Sequence, residues 1–213
     1  MATKIFIGGG GDVKIAKKFD SLFFDSLTYN SKVLYIPIAM GTTTNVTERC
    51  YDWFTSLVSE HNEDKNIDFE LLKDLSQDIK INDYDAVYIG GGNTYRLLNL
   101  IKKNNFHKKL ESYLSTKGMY YGGSAGGIIL GESLLTVSEE SQGKYKDSDG
   151  LNLLNGYSVF PHFTVEQIQK VKNISQKFGL NILAIPEDSG VIFEGVEKFE
   201  SVGSVLKINK DEI

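Results

Sequence analysis

Gly122-Gly123-Ser124-Ala125-Gly126-Gly127 lies between a strand-like run, Met119-Tyr120-Tyr121, and an apolar run, Ile128-Ile129-Leu130. Strand, sharp turn with a serine at its apex, then helix is the layout of a nucleophile elbow. Glycines two positions before and two after Ser124 leave room for a turn that a Cβ would obstruct. Such a turn pushes the Ser124 hydroxyl out of the sheet edge. The N–H groups that open the following helix then point at negative charge developing there. A plain strand-to-helix turn has the same composition, so the rest of the chain has to decide.

Working outward from the elbow, apolar strand-like runs alternate with amphipathic helical patterns. The strand candidates are Lys4–Ile7, Val33–Ile38, Ile67–Leu71, Ala86–Ile89, Met119–Tyr121, Tyr157–Phe160, Ile182–Ile185, Gly190–Phe193 and Ser204–Ile208. Helical spacing relates Ile15, Ala16, Phe19, Leu22 and Phe23, and again Val46, Cys50, Trp53, Phe54, Leu57 and Val58. Asn45 with Glu48, and Thr164 with Gln167, have the spacing of capping boxes. Phe106, Leu110, Tyr113 and Leu114 mark another helix, and Ile168, Val171, Ile174 and Phe178 one more. The alternation predicts an α/β fold, a mostly parallel sheet with helices on both faces, over a single domain spanning 1–213. The short, closely spaced C-terminal runs fit an antiparallel edge. Glu139–Asn152, rich in Ser, Gly, Asp and Lys, reads as a long surface loop.

Composition excludes several classes. Of 213 residues, 41% are hydrophobic and 24% charged, an ordinary globular balance, and the net charge of −5 leaves no footprint for nucleic acid. A single cysteine, Cys50, rules out an intramolecular disulfide. The first residues run straight into a strand-like segment, and no apolar stretch approaches the ~20 residues of a membrane span. The expectation is a cytoplasmic protein without nucleic-acid or membrane partners; a homodimer is left open. The chain has no Cys/His cluster with ligand spacing, so neither a metal nor a cofactor is expected.

A serine nucleophile needs a base, and the chain offers three histidines. His61 stands in a polar run and His107 in a lysine-flanked helix, both read as solvated. His162, in Phe160-Pro161-His162-Phe163-Thr164, sits where a strand ends and a helix begins. Carboxyl ends of parallel strands line the ligand crevice, so His162 and Ser124 are expected on one sheet edge, where a base can reach a hydroxyl. A carboxylate should orient the imidazole. Glu132, Glu139, Glu140, Asp147, Asp149, Glu187 and Asp188 all follow Ser124, and spacing does not choose among them.

Gly90-Gly91-Gly92-Asn93-Thr94 follows another strand. Asn93 or Thr94 suffices as a helix cap. Three successive glycines exceed that need and suit a backbone offering bare N–H groups to a ligand, as in an oxyanion hole. Gly8-Gly9-Gly10-Gly11-Asp12 lacks a phosphate-binding signature and reads as a turn at the same sheet edge. Cys50 falls on the apolar face of its helix and reads as core.

Together, Gly90-Gly91-Gly92-Asn93-Thr94, Gly123-Ser124-Ala125-Gly126 and Pro161-His162-Phe163-Thr164 resemble, in order and separation, peptidase family S51, which includes aspartyl dipeptidase (peptidase E) and the cyanophycinases. The resemblance implies a three-layer α/β sandwich similar to class I glutamine amidotransferases, with serine in place of their elbow cysteine. It implies Ser124 as nucleophile, His162 as base, the N–H groups of Gly92 and Ala125 as oxyanion hole, and Asn93 on the substrate side. The family's acidic third member, 15 positions after the serine in peptidase E, corresponds to Glu139, with Glu140 its nearest competitor. A peptidase E arginine four residues before that acid corresponds to Leu135. Arg96, Lys144 or Lys146 would have to supply the cation that an aspartyl substrate needs. The expected activity is hydrolysis of short peptides without strict Asp-X preference. An esterase or amidase using the same residues, and a catalytically weak binding domain, are the alternatives.

Overall fold

In a computed structural model, which describes residues 3–61, 65–116, 118–137, 145, 147–195 and 198–212, the strands of the first half of the chain form one parallel sheet. These are β1 (Lys4–Gly8), β2 (Lys32–Ile36), β3 (Asp68–Leu71), β4 (Ala86–Ile89) and β5 (Met119–Gly123), in the order β3-β2-β4-β5-β1. Two antiparallel strands, β8 (Gly190–Glu194) and β9 (Lys198–Val202), extend it beyond β1 to seven. Successive side chains of a strand point to opposite faces, and here both faces are covered. Ile5, Ile7, Leu34, Ile36, Val87 and Ile89 pack with α3 (Thr94–Lys103), α4 (Phe106–Thr116) and the single turn α5 (Ala125–Ile128). Phe6, Val33, Tyr35, Tyr88 and Tyr121 pack with α1 (Val13–Ser26) and α2 (Thr44–His61). Burial on both faces is why these strands read as unbroken apolar runs.

The second face is aromatic by register. Tyr35 is opposite Tyr88, and Tyr88 opposite Tyr121, so three tyrosines stand abreast across β2, β4 and β5. The Tyr88 and Tyr121 rings stack at 4.4 Å and 4°.

The expected single sheet is corrected at one point. β6 (Tyr157–Pro161), β7 (Asn181–Ile185) and β10 (Leu206–Ile208) form a separate three-stranded sheet, order β10-β7-β6. It has its own core, in which Phe160, Phe163, Ile182 and Ala184 pack with Val171 of α6 (Ile168–Phe178). β6 pairs parallel with β7 across the α6 crossover, while the next strand, β8, returns to β1. β9 escapes the sequence pattern because it is an edge strand with exposed Lys198 and Glu200.

Smaller corrections concern helix starts and the loop. α2 begins at Thr44, and the Thr43 carbonyl accepts the Thr47 N–H at 2.9 Å, so Asn45 lies inside the helix rather than capping it. Thr164 and Gln167 do form a capping box, on a short 3₁₀ turn that leads into α6. Of the loop expected at Glu139–Asn152, the part from 147 onward is tied down. Leu151 N–H donates to Ile129 O at 2.8 Å, and Asp149 pairs with Ser133. Among the described residues no helix is long and apolar enough to cross a membrane.

Candidate active site

The elbow is closed by backbone contacts. A Cβ at Gly126 would lie 2.2 Å from the Ile89 carbonyl oxygen, and one at Gly122 would lie 2.6 Å from the Gly127 nitrogen. Only hydrogen fits at either position. Tyr120 Oη donates to the Gly126 carbonyl at 2.7 Å, and the Gly127 and Ile128 N–H groups both donate to the Ser124 carbonyl at 2.9 Å. Ser124 is left with φ 49° and ψ −107°.

His162 stands at the end of β6 and meets it. Ser124 Oγ is 2.7 Å from His162 Nε2, and His162 Nδ1 is 3.3 Å from Glu187 Oε1. Glu187 follows β7, whose parallel register sets Ile185 opposite Pro161. The Phe163 N–H donates to the Ile185 carbonyl at 3.2 Å and ties the two strand ends together. One tautomer satisfies both side-chain contacts: Nδ1–H donates to Glu187 and Nε2 accepts the Ser124 hydroxyl. That is the arrangement in which an imidazole can take a serine proton while a carboxylate steadies the resulting cation. Both partners on this side are open to solvent, with side-chain exposures of 48% for His162 and 46% for Glu187.

Backbone strain singles out the same two residues. Among the described residues, the non-glycine positions with positive φ are five asparagines at 50–60°, Ser124 at 49° and His162 at 141°. Asparagine tolerates that region; serine and histidine there cost of order 1–3 kcal/mol each and persist where the surroundings impose them.

Two glycine-rich loops flank the pair. A Cβ at Gly10 would lie 2.5 Å from His162 Cε1 and 2.9 Å from Ser124 Cβ, so this turn abuts both side chains. The Gly8–Gly11 run therefore does line the cleft, as its position in the sequence implies. On the other side Gly91 faces Ser124 across 3.5 Å, measured from its Cβ position to Ser124 Cβ. Gly92, at φ 133°, is pressed against the backbone of Ala39 and Met40. Among the described residues, no protein acceptor is found for the N–H groups of Gly92 and Ala125. Asn93 caps α3, its Oδ1 accepting the Arg96 N–H at 2.8 Å, and its own N–H donates to the Ala39 carbonyl at 2.9 Å.

The remaining sequence candidates fall elsewhere. Glu139, Glu140, Lys144 and Lys146 lie outside the described residues. Leu135 is half-buried against the core of the small sheet, and the Arg96 guanidinium donates to the Ala39 carbonyl. His61 and His107 are half-buried rather than solvated. The His61 ring stacks on Phe24 at 4.6 Å, and burial lowers its pKa. Cys50 is buried in the core of α2, and burial raises its pKa. Glu187, one of seven carboxylates on offer, is the group that spacing could not select. The available signal was topological: if the strands ending in His162 and before Glu187 are parallel neighbours, their C-terminal residues meet.

Beside Ser124, on the tyrosine face, opens a cavity of about 340 Å³. Among the described residues no group of three or more His, Cys, Asp or Glu is placed to hold a metal ion.

Comparison with known proteins agrees with this fold. The sequence profile of peptidase family S51 matches residues 3–200. The chain is 28% identical over 217 residues to "Uncharacterized peptidase YgaJ" of Bacillus subtilis (strain 168), covering 96% of this chain and 88% of that protein. It is 29% identical over 145 residues to a "Peptidase E" of Shewanella denitrificans, covering 67% of this chain and 58% of that one. The crystal structure of a peptidase from an acI-B1 actinobacterium superposes with a TM-score of 0.74 at 16% identity, over 99% of this chain and 92% of that one. The class so defined is a peptidase built on a mixed, mostly parallel sheet with helices on both sides. The chain belongs to peptidase family S51.

Proposed function

We propose that this protein is a serine peptidase of short peptides, a dipeptidase-like exopeptidase working in the cytoplasm. Ser124 Oγ attacks the scissile carbonyl carbon while His162 Nε2 takes the hydroxyl proton. The tetrahedral oxyanion is held by the N–H groups of Gly92 and Ala125, in a loop that Asn93 fixes from the substrate side. His162 then returns the proton to the leaving amine, and water hydrolyses the acyl-enzyme by the same relay. Glu187 takes the orienting role at Nδ1 for which the family resemblance points to Glu139. The observation that carries the proposal is the 2.7 Å contact between Ser124 Oγ and His162 Nε2, backed by a carboxylate at Nδ1.

Substrate range is the finer part. Leu135 stands where a pairing arginine would, and Arg96 is held by a backbone carbonyl. With Leu135 uncharged and Arg96 turned to the backbone, neither position supports strict preference for an N-terminal aspartate. The test has two arms. A serine-reactive phosphonate should label Ser124, and Ser124→Ala should abolish hydrolysis of Leu-, Ala- and Met-initiated dipeptides. A preference of ~100-fold or more for Asp-Leu, about 2.7 kcal/mol in transition-state binding, would remove the specificity claim and leave the mechanism standing.

A further inference from the structure

The cavity beside Ser124 has a charge arrangement that the relay does not use. Its walls carry Tyr35, Trp53, Tyr88 and Tyr121, and Asp20 of α1 lies at its buried end. Asp20 is only 3% exposed and takes a hydrogen bond from the Tyr121 hydroxyl. Among the described residues no cation comes within ion-pair distance of it. Arg49, which also borders the cavity, is exposed, so the positive charge stands at the open end and the carboxylate at the closed one.

A buried carboxylate without a cation is costly to ionise. Burial, with Glu60 adding a smaller repulsion, raises its pKa from 3.8 to about 6 despite the Tyr121 bond. The group is therefore ionised near neutrality and short of a counter-charge. Aromatic walls suit the methylenes of a long side chain, and ring faces attract an ammonium.

The cavity's place relative to the histidine fixes which part of a substrate enters it. Ser124, Gly91 and Gly123 border it, while His162 is not among the described residues that do. The leaving amine must lie on the His162 side to receive its proton, so the cavity serves the acyl side. We propose that this cavity is the acyl-side specificity pocket and selects an ammonium group, which pairs with Asp20 between the tyrosine and tryptophan walls. The inference rests on the peptidase reading. One ligand chemistry has two sources here: the ε-ammonium of a lysine side chain, or the α-ammonium of the substrate's N-terminal residue.

Matched substrates separate the sources. Lys-Leu and norleucine-Leu share a four-carbon side chain and differ by the terminal ammonium, and Nα-acetyl-Lys-Leu removes the α-charge. A side-chain pocket gives kcat/KM at least tenfold higher for Lys-Leu than for norleucine-Leu. An α-ammonium pocket gives equal values for those two and a loss of tenfold or more on acetylation. Asp20→Asn keeps an acceptor for Tyr121 and should reduce whichever ratio is observed to within about threefold of unity. Trp53→Ala, in the wall, should weaken Lys-Leu and norleucine-Leu together and lower their ratio less than Asp20→Asn does. If Asp20→Asn fails to fold, lysinamide and norleucinamide titrated calorimetrically into Ser124→Ala carry the same comparison as a binding ratio. Preference for norleucine-Leu, or an ammonium preference that survives Asp20→Asn, overturns the inference. Phosphonate labelling of Ser124 in the same preparation shows whether the peptidase reading itself has failed, because labelled enzyme without ammonium preference refutes only the pocket.

Discussion

The two halves of the candidate site are held in different ways. Ser124 is fixed by the large sheet, in a turn where Gly122 and Gly126 have no room for a methyl and the carbonyls of Ser124 and Gly126 accept hydrogen bonds within the fold. His162 and Glu187 come from the small sheet, hang at the ends of a single parallel strand pair, and are about half-exposed. The first half is positioned by backbone packing, the second by side chains reaching across from another sheet. Precision in such a site comes from the rigid half, and adjustability from the solvent-exposed half.

Replacing the nucleophile is the largest expected change. Ser124→Ala should lower kcat/KM by ~10³-fold or more, with urea unfolding showing the protein intact; residual turnover within tenfold of the parent would sink the nucleophile assignment. Wedging the two halves apart comes next. In Gly10→Ala the new methyl falls on His162 Cε1 and Ser124 Cβ, and ~1 Å of displacement between reacting groups is worth about 10² in rate. The expected loss of ~10²-fold in kcat, with little change in KM, would show that the sheets must meet closely. An unaffected kcat would show that the His162 side gives way freely.

The orienting carboxylate distinguishes sequence alignment from geometry. Glu187→Gln should cost ~10–10²-fold in kcat/KM, less than a fully buried triad acid does because water shares the work at its exposed position. Glu139→Gln should stay within about threefold. The reverse order, measured on one dipeptide at one pH, would return the third position to Glu139.

The smallest effect sharpens the large-sheet side. Asp20 has its folded pKa raised from 3.8 to about 6, so the folded state binds its proton more tightly than the unfolded chain. The stability this contributes is complete below pH ~4 and is lost as pH rises through ~6. Asp20→Asn removes the titration, so the stability of the variant relative to the parent should rise by about 2 kcal/mol between pH 4 and pH 7 in urea unfolding. A difference that stays flat across that range would mean that water reaches the carboxylate.

Much of the rigid half was legible in the sequence, and less of the other. The elbow announces itself because close backbone approach leaves a glycine signature at fixed spacing around Ser124. His162 was found because it occupies a strand-to-helix junction while the other two histidines do not. Local pattern could not reveal that β6, β7 and β10 leave the main sheet, since the strands themselves look alike in either setting. Glu187 went unselected for the same reason: it meets His162 through strand pairing across 25 residues, a relation with no local period. Asp20 reads in sequence as one more polar residue on an amphipathic helix. Only the alignment of Tyr35, Tyr88 and Tyr121 across three strands shows that a hydroxyl waits for it.

Trp53 is the chain's single tryptophan. It borders the cavity beside Ser124, with its ring 6.2 Å from both Tyr35 and Tyr88. Indole emission shifts with local polarity and is quenched by nearby charged or sulfur groups, so the indole light of the whole molecule originates from one chamber. The protein thus carries a native optical probe where a substrate would sit. Filling, emptying and solvent exchange there can be followed in real time, without a label and without turnover.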